Sequence, residues 1–266
     1  MSAGGDVWAP GADDAVGTEH ETGDSATETG QLPDVVKVLT DLLGDLQANV
    51  AGYLLAGLGY MLVAFGMVFV FIALLVGFMV IPMIIGAALG SEELGAILAM
   101  VGMLFGYVVG LLLLVTVSAP FMASLARAAR AHLEGDQPLG FVAAFGHLGT
   151  DIVQVLLLSI LQMALVLIGM MFCYLPGLLV SLALGFAFPA LIVHRLSAIS
   201  AIQLSFGHVR RNLGWHLGFW GLGLAILFVA QAIPLVGVMF GLPFYVAYQL
   251  KVYMLVFGSG PEPSEA

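Results

Sequence analysis

Apolar residues in this chain run on in long unbroken stretches, without the 3.6-residue alternation of a helix on a soluble core. No Asp, Glu, Lys or Arg occurs in 50–91, 94–126, 152–193 or 212–250. About 20 apolar residues suffice to carry a helix across a bilayer, so these stretches read as membrane spans. The period-two alternation of a barrel strand is missing. The pattern predicts an all-α polytopic membrane protein with six transmembrane helices, over 51–81, 96–119, 152–173, 177–194, 213–232 and 237–257. Two spans inside 51–90 are the alternative, but that run holds no polar residue to make the turn.

Shorter amphipathic stretches lead into three of the runs. Val35, Leu39, Leu42, Leu46 and Val50 recur at helical spacing, as do Val142, Phe145, Leu148 and Ile152, and Ile199, Ile202, Phe206, Val209 and Leu213. Each ends on a related motif: Leu43-Gly44-Asp45 with Asn49, Phe145-Gly146-His147 with Asp151, Phe206-Gly207-His208 with Asn212. A proline falls late in each returning span (Pro120, Pro189, Pro243), followed by Arg127, Arg195 or Lys251. The unit is an interfacial helix followed by a transmembrane hairpin, repeated three times over about 35–134, 138–195 and 197–258. At the three corners the recurring glycine is expected to let two backbones approach closely, and the polar residues to make interface contacts.

Composition agrees: 61% of the 266 residues are hydrophobic and 9% charged, against about a quarter charged in a soluble domain. The net charge of −10 is concentrated at one end. Residues 1–34 contain eight acids and no Lys or Arg, which predicts a disordered acidic cytoplasmic tail. Residues 35–258 form the six-helix membrane domain, and 259–266 a second disordered tail. All seven basic residues (Lys37, Arg127, Arg130, Arg195, Arg210, Arg211, Lys251) fall on the side of the interfacial helices. The positive-inside rule then puts both termini in the cytoplasm, and the membrane is expected to be a bacterial inner membrane.

The chemistry on offer is mild. Thr116, Ser118, Ser159, Gln162, Ser181, Gln231 and Gln249 are the polar groups at depth, along with tyrosines. Such groups usually bond neighbouring helices. Buried carboxylates for ion coupling are missing from the spans, and so are the common hydrolase, zinc-protease and phosphate-loop signatures. A zinc site from His147, His208 and Asp151 is chemically open, but the first unit carries Asp45 at the equivalent place. We expect no catalytic residues, no metal and no cofactor. Arg195, Arg210, Arg211, Trp215 and Lys251 are the candidates for contact with lipid head groups or a protein partner. Gly102, Gly106 and Gly110 stripe one face of the second span, for packing inside the bundle or for a homodimer. The lone Cys173 has no partner for an internal disulfide.

Residues 175–219 resemble the glycerophosphoryl diester phosphodiesterase membrane-domain-like group of bacterial six-span proteins. The likeness rests on Leu175-Pro176-Gly177, Phe188-Pro189, Ala201 and Ser205, and Arg211-Asn212-Leu213-Gly214-Trp215. His194-Arg195 stand where that group often has an acid. The resemblance implies the fold and the membrane location and no activity, because in the named enzymes catalysis belongs to a separate soluble domain. The expected role is that of a non-enzymatic scaffold or envelope-homeostasis protein, with partners reached through residues 1–34 and no nucleic acid. The alternative is a transporter or channel that handles lipid or a small solute between the hairpins.

Overall fold

A computed structural model describes residues 32–172, 174–232 and 236–259. Most of the predicted acidic tail, Cys173 and residues 260–266 lie outside this range. The helices are α1 (Val35–Ala48), α2 (Val50–Ala88), α3 (Glu92–Leu133), α4 (Phe141–Phe145), α5 (Ile152–Phe172), α6 (Tyr174–Ala183), α7 (Ala187–His194), α8 (Ala198–Arg211), α9 (Leu213–Gln231) and α10 (Val236–Phe257). There is no strand among the described residues. Six helices are long and apolar enough to cross a membrane, counting α6 and α7 as one broken span. This is a multi-pass, all-helical membrane protein.

α2 packs along α3, α5 along α6 and α9 along α10, and α10 also crosses α2 and α3. The core is concentrated where α3 carries its alanine-rich stretch. Ala119, Phe121, Ala123, Leu125, Ala126, Ala128 and Ala129 are buried there with Tyr53, Phe186, Phe219, Tyr248 and Tyr253. Farther out, α2 and α3 pack mainly on each other, through Phe78 on Phe105 and Phe71 on Tyr107. Their remaining side chains there are apolar and exposed, Phe69 by 71% and Leu104 by 68%. A lipid-facing surface has this character, since lipid tails are as apolar as the side chains.

α2 has 39 residues and α3 has 42, or about 58 and 63 Å at 1.5 Å per residue. Both are longer than predicted. The stretch from Ile81 to Gly95 reads as a broad turn, but the chain turns only at 89–91. Gly90 has φ +72°. The Ser91 and Gly90 amides donate to Gly86 and Ala87 carbonyls, closing α2 with a left-handed glycine cap. Ser91 then caps α3 by accepting from the Leu94 amide, and Glu92 and Glu93 sit in the first turn, where the helix dipole favours acids.

α2 passes through Pro82 without breaking because its neighbour makes room. A proline at this position removes the bond to the Phe78 carbonyl and pushes that carbonyl outward. Gly102 of α3 lies against it: a Cβ there would collide with the Phe78 oxygen and lie 3.4 Å from Pro82 Cγ. Pro243 in α10 does the same to Met239, and a Cβ at Gly57 of α2 would collide with the Met239 carbonyl. Gly106 and Gly110 lie against the Phe78 and Phe71 rings. The glycine stripe of α3 is thus covered by α2 of the same chain, and a second copy cannot use that face without displacing α2.

Two predicted elements differ. The helix expected to run from Val142 into Ile152 is a single turn, α4. The His147 amide bonds Ser124 Oγ at 3.0 Å and its carbonyl accepts from Arg127 at 3.4 Å, so α3 takes the backbone groups that would have extended it. The span over 177–194 is interrupted at Leu184–Phe186, where Pro189 excludes a regular bond to the Gly185 carbonyl.

Gly102→Ala and Gly57→Ala are expected to lower the melting temperature of the purified protein, each costing about 1–3 kcal/mol through overpacking. Gly66→Ala, where the added carbon meets no atom within 4 Å apart from its own helix backbone, should leave it unchanged or raise it through helix propensity.

Candidate functional site

Two arrangements bring the polar residues together: a collar at the basic end, and an open cavity between the long helices. In the collar, Asp45 joins α1, α2 and α3. Its carboxylate accepts from Asn49 Nδ2 and Tyr53 Oη, both at 2.8 Å, and lies 3.1 Å from His132 Nε2. Partial burial alone would raise the Asp45 pKa. The hydrogen bonds from Tyr53, His132 and Asn49 and the charge of His132 outweigh it, holding the carboxyl below its ordinary value. Arg130 ties α3 to α7 and to the end of α10, donating to the carbonyls of Val193 at 3.0 Å and Ser259 at 2.7 Å, with Glu134 at 2.8 Å. Arg127 pairs with Asp151 at 3.4 Å.

The corners at Asn49 and Asn212 share one geometry. Both asparagines have φ near −125° (−121° and −129°), and each side-chain amide donates at 3.3 Å to the carbonyl four residues back, of Asp45 or His208. Asp151 differs, with φ 51°. The close backbone approach expected at the corner glycines is not found. A Cβ at Gly44 or Gly207 would meet nothing within 4 Å, and at Gly146 only carbonyls of its own segment at 3.5 Å or more. Corner geometry comes from the Asn caps, and these glycines face open space.

His147 and His208 belong to different clusters. His208 packs against Phe186, Trp215, His216 and Phe257, while the His147 backbone is held by Ser124 and Arg127 on α3. Among the described residues no three His, Cys, Asp or Glu side chains are grouped to hold a metal ion. Arg195, with φ 50°, is exposed, as are Arg210 and Arg211. Lys251 is half-buried. Trp215 donates its indole N–H to the Pro33 carbonyl at 2.9 Å and stacks on Phe219.

The second arrangement is built on the interruption between α6 and α7. It frees backbone groups that, inside a bilayer, have no water to bond. Ser205 of α8 serves two of them: its hydroxyl donates to the Ala183 carbonyl at 2.7 Å and accepts from the Phe186 amide at 3.0 Å. His216 Nε2 lies 3.1 Å from the Leu182 carbonyl, and Gln162 Nε2 lies 3.4 Å from the Leu184 carbonyl. Ser205 and His216 are fully buried.

Beside this break lies a cavity of about 620 Å³, within the size range of small-ligand pockets. Ser118, Ser159, Gln162, Ser181, Tyr245 and Gln249 contribute polar groups, from α3, α5, α6 and α10; the rest of the wall is mostly apolar, with Met122, Met163, Val166, Phe188 and Trp220 among its residues. Gln249 bonds Tyr245 Oη at 2.7 Å and Ser181 bonds its own helix. The Ser118 and Ser159 hydroxyls have no hydrogen-bond partner among the described residues. No charged side chain lines the cavity. Sequence reasoning listed these polar residues singly, as helix-to-helix contacts. It had no means of knowing that they face one space.

Ser205→Ala strands the Ala183 carbonyl and the Phe186 amide together. At about 1–3 kcal/mol for a buried group left unpaired, it should lower the melting temperature clearly, whereas Ser200→Ala on the exposed side of α8 should not. Asp45 supplies a second expectation. Its folded pKa lies below the ordinary 3.8, so its stabilisation is complete above that value and is lost as pH falls through the lower, folded one. Melting curves from pH 6 down to pH 2 should show a steeper acid loss for the wild-type chain than for Asp45→Asn, which is weaker at neutral pH. No protein-family model matches this chain, and neither a curated protein nor a solved structure does.

Proposed function

We propose that the protein binds and handles a small uncharged molecule, or the uncharged head of a lipid, in the cavity between its hairpins. The observation that carries this reading is the convergence of six neutral hydrogen-bonding side chains on one space beside a broken helix. A charge placed there would be desolvated with no counter-charge on the walls. A hydroxyl, carbonyl or amide would find donors and acceptors in Ser118, Ser159, Gln162 and Gln249. Broken spans at membrane depth, tolerated where they line a cavity, recur at the substrate sites of transporters, and this supports passage or presentation of the ligand over a purely structural role. The bundle belongs in a bacterial inner membrane with both termini cytoplasmic. That orientation is supported by the placement of all seven basic residues. The matching Asn49 and Asn212 corners support a plan of repeated hairpins, each led in by an interfacial helix, in which the second unit has shortened its lead-in to α4. The likeness of residues 175–219 to the phosphodiesterase membrane-domain group adds to the membrane location alone.

Mass spectrometry of the small molecules that co-purify with the full chain tests the proposal. An uncharged species should be enriched with the wild-type protein. It should fall several-fold in Gln162→Leu with Gln249→Leu, and in Ser159→Phe, which fills the space. An identical profile across all three proteins would sink the idea.

A further inference from the structure

A second, chemically different recess lies between the start of α5 and the turn from α7 into α8. Asp151, Gln154, Leu191, Arg195, Leu196 and Ser197 line it, and its volume is about 190 Å³. That is below the range of pockets for drug-sized ligands, so the group it can hold has only a few heavy atoms. Asp151 opens α5, its carbonyl accepting from the Val155 amide at 3.0 Å, and Arg195 closes α7. These two are the non-glycine residues with positive φ among the described residues, at 51° and 50°. Such a backbone persists where the surrounding structure fixes it, and both instances fall on the wall of one small cleft.

The two charges share this space without pairing with each other. Arg195 makes no ion pair and no side-chain hydrogen bond among the described residues. Asp151 pairs through Oδ2 with Arg127 at 3.4 Å, but Arg127 is not part of the wall, and the Asp151 side chain stays 45% exposed. Gln154 is oriented by the Ala198 amide, which donates to its Oε1 at 3.0 Å, so its Nε2 has N–H groups to give. A plain anion in the cleft would pair with Arg195 and crowd the Asp151 carboxylate; a plain cation would do the reverse. A molecule that carries both charges satisfies both residues. Exposed apolar side chains follow the polar ones along the chain, Ile152 and Val153 after Asp151 and Ile199 after Ser197, as befits a lipid head group and its tails.

We propose that this cleft recognises a phosphate ester joined by a short link to a primary ammonium, either as the head of an ethanolamine phospholipid or as the same ester free in solution. The Arg195 guanidinium and Gln154 Nε2 donate to the phosphate oxygens, and the ammonium donates to Asp151 Oδ1. Leu191 and Leu196 complete a wall that suits the linking carbons. The site is separate from the neutral cavity and does not rest on the function proposed for it.

Native mass spectrometry of the full chain tests this with phosphatidylethanolamine, phosphatidylcholine and phosphatidylglycerol of identical acyl chains. Phosphatidylcholine has the same charges but no N–H for Asp151, and phosphatidylglycerol has no cation. Phosphatidylethanolamine should be retained about tenfold more strongly than phosphatidylcholine, as expected for a hydrogen bond to a charged group. Asp151→Asn should abolish that preference, and Arg195→Asn should weaken phosphatidylethanolamine by about the same factor. Asparagine tolerates the left-handed backbone at both positions, and Arg195 has no pair to break, so its variant should melt as the wild-type chain does. Free phosphoethanolamine should compete better than choline phosphate, and whichever of lipid and free ester binds at the lower concentration is the source. The uncharged species of the other cavity should survive both substitutions. Equal retention of phosphatidylethanolamine and phosphatidylcholine by the wild-type chain would overturn the proposal. So would unchanged phosphatidylethanolamine retention in both variants, or an equal loss of phosphatidylglycerol in Arg195→Asn, the mark of a plain anion site.

Discussion

The constraint on which the rest of this structure depends is the need to pair backbone groups where there is no water. Prolines stand inside four of the six long helices, at Pro82, Pro120, Pro189 and Pro243 among others. Each removes a backbone donor and loosens a carbonyl four residues earlier. In hydrocarbon, such a group costs several kcal/mol if nothing meets it. The chain answers in two ways. At Pro82 and Pro243 the helix stays whole, and a glycine on a neighbouring helix lets the outward carbonyl lie against bare backbone, where weak Cα–H···O contact is available. At Pro189 the helix breaks: Ser205 of α8 pairs the Ala183 carbonyl and the Phe186 amide, and His216 and Gln162 reach the Leu182 and Leu184 carbonyls, which also accept from the Gly185 and Ala187 amides.

Those two answers divide the molecule. Glycine contacts make the α2–α3 hairpin and its junction with α10 tight and apolar, with no room for a ligand. Side-chain answers at the α6–α7 break bring Ser205, His216 and Gln162 up to it, and this polarity adjoins the cavity. The collar then fixes the helices at one end: Asp45 across α1, α2 and α3, Arg130 across α3, α7 and the end of α10. Position at depth is set by backbone accounting, and alignment at the surface by a few charged residues.

The membrane class and the six long helices were legible in the sequence, because charge-free runs of this length have no other stable home. Helix ends were less so. Ile81 to Gly95 carries Pro and Gly at a density that marks a turn in water, and nothing local in it announces that Gly102 will accommodate the Phe78 carbonyl. The second lead-in helix was over-read for a similar reason: Val142 to Ile152 has helical spacing, but Ser124 and Arg127, some 20 residues away, compete for its backbone. Asp45 and His132 stand 87 positions apart, and no spacing rule pairs them. The cavity was hidden because its residues were visible one by one. Which face of each span they occupy relative to the others is a property of helix packing.

The lengths of α2 and α3 have a mechanical consequence. A rod of about 58 Å that is apolar from end to end does not fit upright in a slab of about 30 Å. Standing, nearly half of it would lie beyond the hydrocarbon, so the hairpin has to tilt, bend or draw the bilayer around it thicker. Whichever it does, the length of α2 and α3 makes this hairpin the part of the molecule that answers to the thickness of the lipid around it.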